Sequence, residues 1–283
     1  NIFKKIWIQP ASGDAGGALG AALYCANHYQ KKSKKVVQYM NPYLGPCFDN
    51  DEIENYLIRN QIKYKKSENI PSDAAKLLKE GKILGWFQGK AEFGPRALGN
   101  RSILGNPLLE KMQKEINLRV KYRESFRPFA PVVLEDHKSE WFDIKTDSPY
   151  MLLVSEVKKQ KLLLESKTRL FTFEDLNIKR SIIPSVTHVD CSARIQTVTF
   201  DQNPLLYELI NNFKSLTNCP ILINTSFNVR GEPIVQTPDD AYKCFMRTKI
   251  HYLFLGKFLI DKNQEIYKFN NPEKDISKLF PLD

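Results

Sequence analysis

Arginines and glycines are interleaved in the stretch QGKAEFGPRALGNRS, which runs from Gln88 to Ser102. Its glycines and proline favour a tight turn with free backbone amides, and Arg96 and Arg101 add two permanent positive charges. Amides and guanidinium groups together bind phosphate or carboxylate, so this stretch predicts an anion site. It contains no GK[ST] sequence and is therefore not a Walker A loop. In the alternative interpretation the loop is structural, and its arginines pair with Glu92 and other carboxylates.

A second basic stretch follows in NLRVKYRESFRPFAP, residues 117–131. If the chain is extended here, Lys121, Arg123 and Ser125 alternate onto one side and line a phosphate site together. Alternatively, the same cations form a solvated helix end, where positive charge complements the helix dipole. The stretch taken alone does not separate these two interpretations.

Two further motifs place polar side chains beside hydrophobic runs. In SVTHVDCSARIQ, residues 185–196, His188 could orient or protonate a phosphate and Arg194 could clamp one, although a lone histidine is more often a structural donor. In LINTSFNVRGEPI, residues 222–234, a hydrophobic strand ends in polar residues. Ligands of open α/β sheets bind at the carboxyl ends of strands, so recognition groups are expected there, unless the motif is only a hydrogen-bonded turn. The candidates in this motif are Asn224, Ser226, Asn228 and Arg230.

The chemistry that these motifs favour is phosphoryl or nucleotidyl transfer. The chain has no Ser–His–Asp signature, no HExxH sequence and no nucleophile elbow. Arginine, lysine, serine and asparagine suit a reaction in which positioning and charge neutralisation do most of the catalysis. One phosphate charge about 4 Å from one arginine is worth roughly 4 kcal/mol at an effective dielectric near 20, before desolvation.

Composition limits the class of protein. The 283 residues are 42% hydrophobic and 26% charged, which excludes a disordered chain, and no apolar run is long enough to span a membrane. Five cysteines without CxxC spacing support neither a disulfide scaffold nor a zinc ribbon, so we expect a cytoplasmic protein with reduced thiols. The net charge of +10 suits an anionic partner, or else a solvated lysine surface.

Helix and strand signals alternate along the chain, which predicts a layered α/β fold. Residues 1–40 resemble a strand, a glycine turn, a small-residue helix capped by Asp14, and a strand at Val36–Met40; a domain boundary follows at 41–46. Ser72 is expected to cap a helix that stops at Gly81. Asn106-Pro107, Asn203-Pro204 and Thr237-Pro238 each predict a helix start, and Leu216 is expected to face inward. Strands are predicted at Ile83–Phe87, Tyr150–Val157, Gln196–Phe200, Cys219–Asn224 and Tyr252–Ile260.

Four motifs in order, GKAEFGPRALGNRSIL, INLRVKYRESFRPFAP, PSVTHVDCSARIQTV and NTSFNVRGEPIV, resemble the C-terminal part of the NodU/CmcH-type O-carbamoyltransferases over about residues 80–260. The segment WIQPASGDAGGALGAAL is similar to the end of that family's actin-like (ASKHA) carbamoyl-transfer domain. The resemblance implies a tail of the actin-like domain at 1–45, a YrdC-like twisted-sheet domain with helices at 46–270, and a C-terminal tail at 271–283. Most of the actin-like domain would lie upstream.

In that family the YrdC-like domain uses ATP and carbamoyl phosphate to make carbamoyl-adenylate, and the actin-like domain moves the carbamoyl group to an acceptor hydroxyl and binds iron. By motif, the resemblance implies that Arg96, Lys121, Arg194 and Ser226 bind carbamoyl phosphate. It implies that ATP phosphates, Mg²⁺-linked oxygens or the carbamoyl amide are held by Arg101, Arg123, His188, Asn224, Asn228 and Arg230.

Two departures from the family pattern bear on the metal and on one turn. Asp14 matches a metal-ligand aspartate, but the histidine pair of the iron site has no counterpart, so Fe²⁺ is expected only with the upstream domain. Cys191 replaces the usual glycine after THVD.

The expected partners are small-molecule substrates and the upstream actin-like domain, with neither a membrane nor, in this interpretation, nucleic acid. Two other classes remain open. One is an RNA- or nucleotide-binding module without catalysis, in which Tyr122, Phe126 and Phe129 stack on bases. The other is a structural fragment without activity.

Overall fold

The computed structural model describes residues 7–29, 40–163, 176 and 178–264, and in them one mixed sheet organises the molecule. Its strand order is β1-β9-β8-β2-β3-β7-β4-β6-β5. The strands are β1 (Lys65–Lys66), β2 (Leu84–Phe87), β3 (Arg101–Gly105), β4 (Ala130–Leu134), β5 (Leu153–Glu156), β6 (Ser192–Val198), β7 (Ile221–Ser226), β8 (Tyr252–Leu255) and β9 (Phe258–Asp261). The β2–β8 and β4–β6 pairs are parallel and the other pairs are antiparallel. The predicted α/β class is confirmed.

The helices are α1 (Asp14–His28), α2 (Asn50–Arg59), α3 (Ile70–Lys79), α4 (Met112–Ile116), α5 (Lys138–Trp141), α6 (Pro204–Thr217) and α7 (Pro238–Arg247). The predicted starts of α6 and α7 are confirmed, because Asn203 Oδ1 accepts from Leu206 N at 3.1 Å and Thr237 Oγ1 accepts from Asp240 N at 3.1 Å. A proline follows each cap, at a position where its missing N–H has no intrahelical partner to lose.

Three predicted helix starts and one inward residue are corrected. Asn69, not Ser72, caps α3, and its Oδ1 accepts from Ser72 N at 3.1 Å. Asn106 instead ties a turn to α3 by donating to Leu78 O at 3.2 Å, so the next helix begins only at Met112. The N-cap of α1 is Gly13, and Asp14 is its first helical residue without a capping bond. Leu216, expected inside, is 38% exposed.

Several strand predictions also need correction. The run predicted at Tyr252–Ile260 is a hairpin, because the chain turns at Gly256 with φ +53°. The strand predicted at Tyr150–Val157 is limited to β5, because Met151 takes a left-handed φ of +57°. No strand includes Trp7 or Ile8, and residues 36–39 of the predicted Val36–Met40 strand lie outside the described residues. The sequence patterns did not reveal β1, β3 or β4.

Residues 40–46, here called the strap, run across the loop between β2 and β3. Backbone bonds join Gly45 N to Ala91 O at 2.9 Å, Ala91 N to Pro46 O at 2.9 Å and Phe93 N to Pro42 O at 2.7 Å. The Tyr43 hydroxyl also donates to Leu98 O at 3.0 Å. The strap therefore fixes the outer side of this loop. The domain boundaries predicted near residues 45 and 270 stay predictions.

The core and the N-terminal helix differ sharply in burial. Every residue of β2, β3 and β4 is buried, whereas α1 contains no buried residue. Just before α1, Pro10 and Ala11 are buried. Within the described part of the chain, no helix is long and apolar enough to cross a membrane.

We predict that the amides of α1 exchange with solvent deuterium much faster than those of β7. A helix without buried side chains opens locally, whereas a central strand exchanges only in larger unfolding events. Hydrogen exchange followed by mass spectrometry or NMR measures both in one sample. Equal protection of α1 and β7 would contradict the prediction.

Candidate functional site

One face of the sheet carries a set of polar side chains on neighbouring strands. Ser102 of β3 lies opposite Ser226 of β7, and Ala130 of β4 lies opposite Asn224 of β7. Val132 of β4 lies opposite Gln196 of β6. Opposed residues and alternate residues of a strand share a face. The residues that this register places on one face, here called the polar face, are Ser102, Asn224, Ser226, Arg194 and Gln196.

An amide network holds the loop of residues 88–100, here called the arginine loop, over the polar face. Asn224 Nδ2 donates to Gln196 Oε1 at 2.6 Å and to Ala97 O at 3.2 Å. Gln196 Nε2 donates to Leu98 O at 2.8 Å. Both amide groups are buried. The two side chains therefore fix the backbone directly after Arg96.

This arrangement brings Arg96 and Arg194 together. Burial first, and then the charge of Arg96, lowers the pKa of the Arg194 guanidinium. The Nε atoms of both arginines are buried without a hydrogen-bond partner. Among the described residues, no carboxylate forms an ion pair with either arginine within 4.0 Å. Two neighbouring guanidinium groups without a counter-charge form a site for an anion.

Glu92 does not neutralise these arginines, as the alternative interpretation required. Its Oε1 accepts from the backbone N–H groups of Leu98 at 2.7 Å, Asn100 at 2.7 Å and Arg101 at 3.2 Å. The carboxylate is therefore bound to the end of the arginine loop, which leaves the charge of Arg96 available.

Lys121 joins the polar face from the π-helical turn Asn117–Lys121, which continues α4. Its Nζ donates to Asn228 Oδ1 at 2.8 Å, to Ser226 Oγ at 3.1 Å, to Asn228 O at 3.1 Å and to Ser226 O. Lys121 is 3% exposed, and burial, followed by the charge of Arg123, lowers its pKa to about 7. The structure thus brings Lys121, Ser226 and Asn228 together at the carboxyl end of β7. Arg230 follows them, and its backbone N–H donates to Lys121 O at 3.3 Å.

The structure does not have the extended segment that one of the two interpretations placed at Lys121–Ser125. Tyr122 takes a left-handed φ of +49°, so Lys121, Arg123 and Ser125 do not alternate along a strand. Arg123 Nε instead donates to Asn117 Oδ1 at 2.7 Å, and its guanidinium lies 5.1 Å from the centre of the Phe129 ring. Arg123 is therefore held next to the turn, and its assignment as an ATP ligand stays a prediction.

Arg101 lies away from the polar face. It precedes Ser102 in β3, so its side chain points to the opposite face, where its guanidinium stacks 3.6 Å from the centre of the Phe87 ring. Its terminal nitrogens donate to Gln88 O at 2.7 Å, Pro46 O at 3.0 Å, Gly89 O at 3.1 Å and Asn100 O at 3.1 Å. At 0% exposure it shapes the loop, so its contacts do not support the expected role as an ATP ligand.

His188 begins a tight turn beside Arg194. Its backbone N–H donates to Ser192 O at 2.8 Å, and burial, with a further effect of Arg194, lowers the pKa of its imidazole. Cys191 closes this turn with a left-handed φ of +64°, a conformation that favours glycine. The cysteine that departs from the family pattern therefore keeps a glycine-like turn at a cost in backbone strain.

Asp14 shows no sign of a metal site. It is exposed on α1, and His28, at the other end of α1, lies about 20 Å away along the helix axis at 1.5 Å per residue. Among the residues that the structure describes, no group of three or more His, Cys, Asp or Glu side chains could hold a metal ion. The described residues alone do not form an iron site, and the assignment of Asp14 as a metal ligand stays a prediction that requires the upstream domain.

The family is decided by a model for the carbamoyltransferase C-terminus, which matches residues 75–262. The chain belongs to this family. The matched range contains all four arginine-, lysine- and asparagine-bearing motifs, and the resemblance drawn from them is confirmed.

Relatives of this carbamoyltransferase C-terminal domain are longer than the chain. An uncharacterized protein of Synechocystis sp. is 50% identical over 272 residues, which cover 93% of this chain and 44% of that protein. Nodulation protein NolO of Bradyrhizobium diazoefficiens is 39% identical over 267 residues, which cover 92% of this chain and 45% of NolO. The chain therefore spans less than half the length of these relatives.

One solved structure, full-length HypF in its phosphate- and nucleotide-bound form, resembles the chain weakly. Its TM-score is 0.44 at 16% sequence identity, and the match covers 70% of this chain and 22% of that one.

The sequence motifs did not predict a role for three residues of the carbamoyltransferase domain: Glu92, Ser102 and Gln196. Gln196 and Ser102 stand in motifs that sequence reasoning singled out, and Gln196 follows Arg194 at the two-residue spacing of a strand face. That spacing was the available signal. Glu92 was noted only as an ion-pair partner, and nothing local indicates that it binds backbone amides.

We predict that sulfate affinity falls about tenfold as the pH rises from about 6 to about 9, because Lys121 loses its proton near pH 7 and one positive charge leaves the site. His188 is neutral over most of this range because its pKa is lowered, and Cys244 stays protonated with a pKa of about 12. Arg123, with a pKa of about 10, stays charged. Calorimetry at several pH values measures the profile, and Lys121→Met should flatten it. An equally steep profile in the variant would assign the titration to another group.

We also predict that Cys191→Gly is more stable than Cys191→Ala by about 1 kcal/mol, because both remove the thiol and only glycine relieves the positive φ. Urea unfolding of the two variants measures the difference. Greater stability of the alanine variant would show that the turn does not hold this conformation in solution.

Proposed function

We propose that the polar face and the arginine loop bind carbamoyl phosphate and ATP and form carbamoyl-adenylate, the activation half-reaction of an O-carbamoyltransferase. The observation that carries the proposal is the fixing of the backbone after Arg96 to Asn224 and Gln196, which places Arg96 near Arg194 without an ion-paired carboxylate, on the same face as the buried Lys121. Membership of the carbamoyltransferase C-terminal family supports the same chemistry.

The reaction needs no protein nucleophile. Water first cleaves carbamoyl phosphate to carbamate and phosphate. A carbamate oxygen then attacks the α-phosphorus of ATP, a new P–O bond forms, and the bond to the β-phosphate oxygen breaks to release pyrophosphate. Negative charge at the reacting phosphates has to be neutralised and the groups held in line, which fixed guanidinium groups do well.

Each group on the polar face has a place in this scheme. Arg96 and Arg194 hold the phosphate of carbamoyl phosphate between two forks. Lys121 adds a third charge and holds the end of β7, so that Ser226 and Asn228 face the ligand from one rigid turn. Asn224 Oδ1 is buried without a partner, which suits a ligand that brings an N–H donor to the anion site.

The proposed half-reaction involves Mg²⁺ but not iron. Mg²⁺ would enter with ATP, because nucleotide phosphates normally react as the magnesium complex. Iron is not expected in the proposed half-reaction, because the family resemblance assigns it to the transfer step of the actin-like domain. Transfer to an acceptor hydroxyl is assigned to the upstream actin-like domain, in keeping with relatives more than twice as long as the match.

The nucleic-acid alternative loses part of its basis in the structure. Phe129 is 2% exposed beneath Arg123, so it cannot stack on a base. The Tyr122 hydroxyl donates to Arg247 O at 2.8 Å. Of the three rings expected to stack, Tyr122 is half-buried and Phe126, at 49% exposure, is the one that is largely exposed. A single exposed ring is a weak stacking platform.

We predict that the chain releases pyrophosphate from ATP when Mg²⁺ and carbamoyl phosphate are both present. Arg194→Ala should lower the rate at least about tenfold, because the phosphate loses one of two adjacent charges. Arg59→Ala, an exposed arginine in the last turn of α2, is the matched control and should leave the rate unchanged. An enzyme-coupled pyrophosphate assay measures all three.

Metal removal and acceptor assays sharpen this test. EDTA should stop pyrophosphate release, whereas an iron-selective chelator should not. The chain alone should carbamoylate no hydroxyl acceptor. If folded protein releases no pyrophosphate but binds oligonucleotides with a steep salt dependence, the nucleic-acid alternative replaces this proposal.

A further inference from the structure

The arginine loop is closed by two opposite charges that bind its backbone rather than each other. The Arg101 guanidinium donates hydrogen bonds to four carbonyl oxygens, three in the loop and one in the strap. The Glu92 carboxylate accepts hydrogen bonds from three backbone N–H groups at the end of the loop. The Glu92 carboxylate lies near enough to counter part of the effect of burial on the pKa of Arg101.

Burying Arg101 has a desolvation cost, and a lysine at this position cannot make the same contacts. Arg101 is fully buried, and a buried guanidinium without carboxylate contact needs several good acceptors. The planar fork reaches acceptors at both ends of the loop, Gln88 and Gly89 at the start and Asn100 at the end. An ammonium on a single stem cannot span the same set. The arginine is therefore matched to closing this loop.

The position of the Glu92 carboxylate also determines whether the positive charge of Arg96 is neutralised. It stands four residues before Arg96 in the same loop, where an ion pair between them would cancel the charge of the anion site. Its Oε1 is instead bound by three amides, and no ion pair between Glu92 and Arg96 lies within 4.0 Å in the described structure. Arg96 therefore stays cationic beside Arg194.

Contacts on the outer side of the arginine loop also hold it in place. Pro46 O of the strap accepts from Arg101, and the strap backbone pairs with that of Ala91 and Phe93. At Gly94, φ is +127° and an added Cβ would lie 2.9 Å from Pro10 O, so the loop is also confined where it turns. Arg96 is thus carried on a short segment that is held on several sides.

We propose that Glu92 and Arg101 are positioning residues that close the arginine loop and hold Arg96, with its charge uncancelled, against Arg194. Neither residue touches the ligand. This inference rests on the proposed function, because it explains how the anion site of that function is held in shape.

A double-mutant cycle tests the inference with carbamoyl phosphate as the probe. The variants are Arg96→Ala, Glu92→Gln and the double variant, with affinity measured by calorimetry and folding checked by thermal unfolding. Glu92→Gln keeps an acceptor oxygen but loses the charge-assisted bonds, so affinity should fall about tenfold while the protein stays folded. If Glu92 acts only through Arg96, its substitution should change nothing further in the Arg96→Ala background.

Controls separate positioning from general destabilisation. Glu208→Gln on α6 and Arg59→Lys on α2 make the same chemical changes away from the loop and should leave the affinity unchanged. Arg101→Lys should weaken binding at least as much as Glu92→Gln; if it does not fold, the Glu92 cycle alone decides.

The outcomes distinguish the two proposals. Additive effects of Glu92→Gln and Arg96→Ala, or unchanged affinity in Glu92→Gln, would overturn the positioning role while leaving the anion site intact. If the wild-type chain binds neither carbamoyl phosphate nor inorganic phosphate, the proposed function itself fails. Loss of binding in Glu92→Gln with full coupling to Arg96 would establish the inference.

Discussion

Arg96 and Arg194 repel each other, and the surrounding structure is built to hold them together. Two neighbouring guanidinium groups raise the free energy of the folded state unless an anion or a carboxylate lies between them. Carboxylates are kept away here: Glu92 binds amides, and Asp190 accepts from the backbone and hydroxyl of Ser192. The repulsion is therefore stored in the ligand-free protein, and an anion that enters relieves it.

The sheet and the arginine loop position these two arginines in different ways. The sheet contributes Arg194 on β6, whose position follows from backbone pairing on both sides of the strand. The loop contributes Arg96, which has no regular secondary structure to position it and depends on side chains that bind the loop backbone. A strand is a stiff support, whereas a loop needs its own internal bonds to reach the same precision.

Sequence reasoning identified the motifs but could not assign roles within them. The helix starts at Asn203 and Thr237 followed from local capping chemistry and were correct, and the four motifs all lie within the matched family region. Arg96 and Arg101 look alike in the sequence. Their roles separate only because β3 begins at Arg101, and its first side chain points away from the polar face. Pairings such as Ser102 with Ser226 join distant parts of the chain, and no local pattern reports them.

The same strand order determines when the site can exist during synthesis. Along the chain β2 and β3 precede β7 and β8, yet β3 pairs with β7 and β2 pairs with β8, so these two strands leave the ribosome before their partners do. Until then the arginine loop has no polar face beneath it, and the early strands have unpaired edges. Long-range pairing of this kind is slow and leaves a nascent chain exposed to aggregation. The polar face of the proposed anion site is therefore complete only once β7 has paired with β3 and β4.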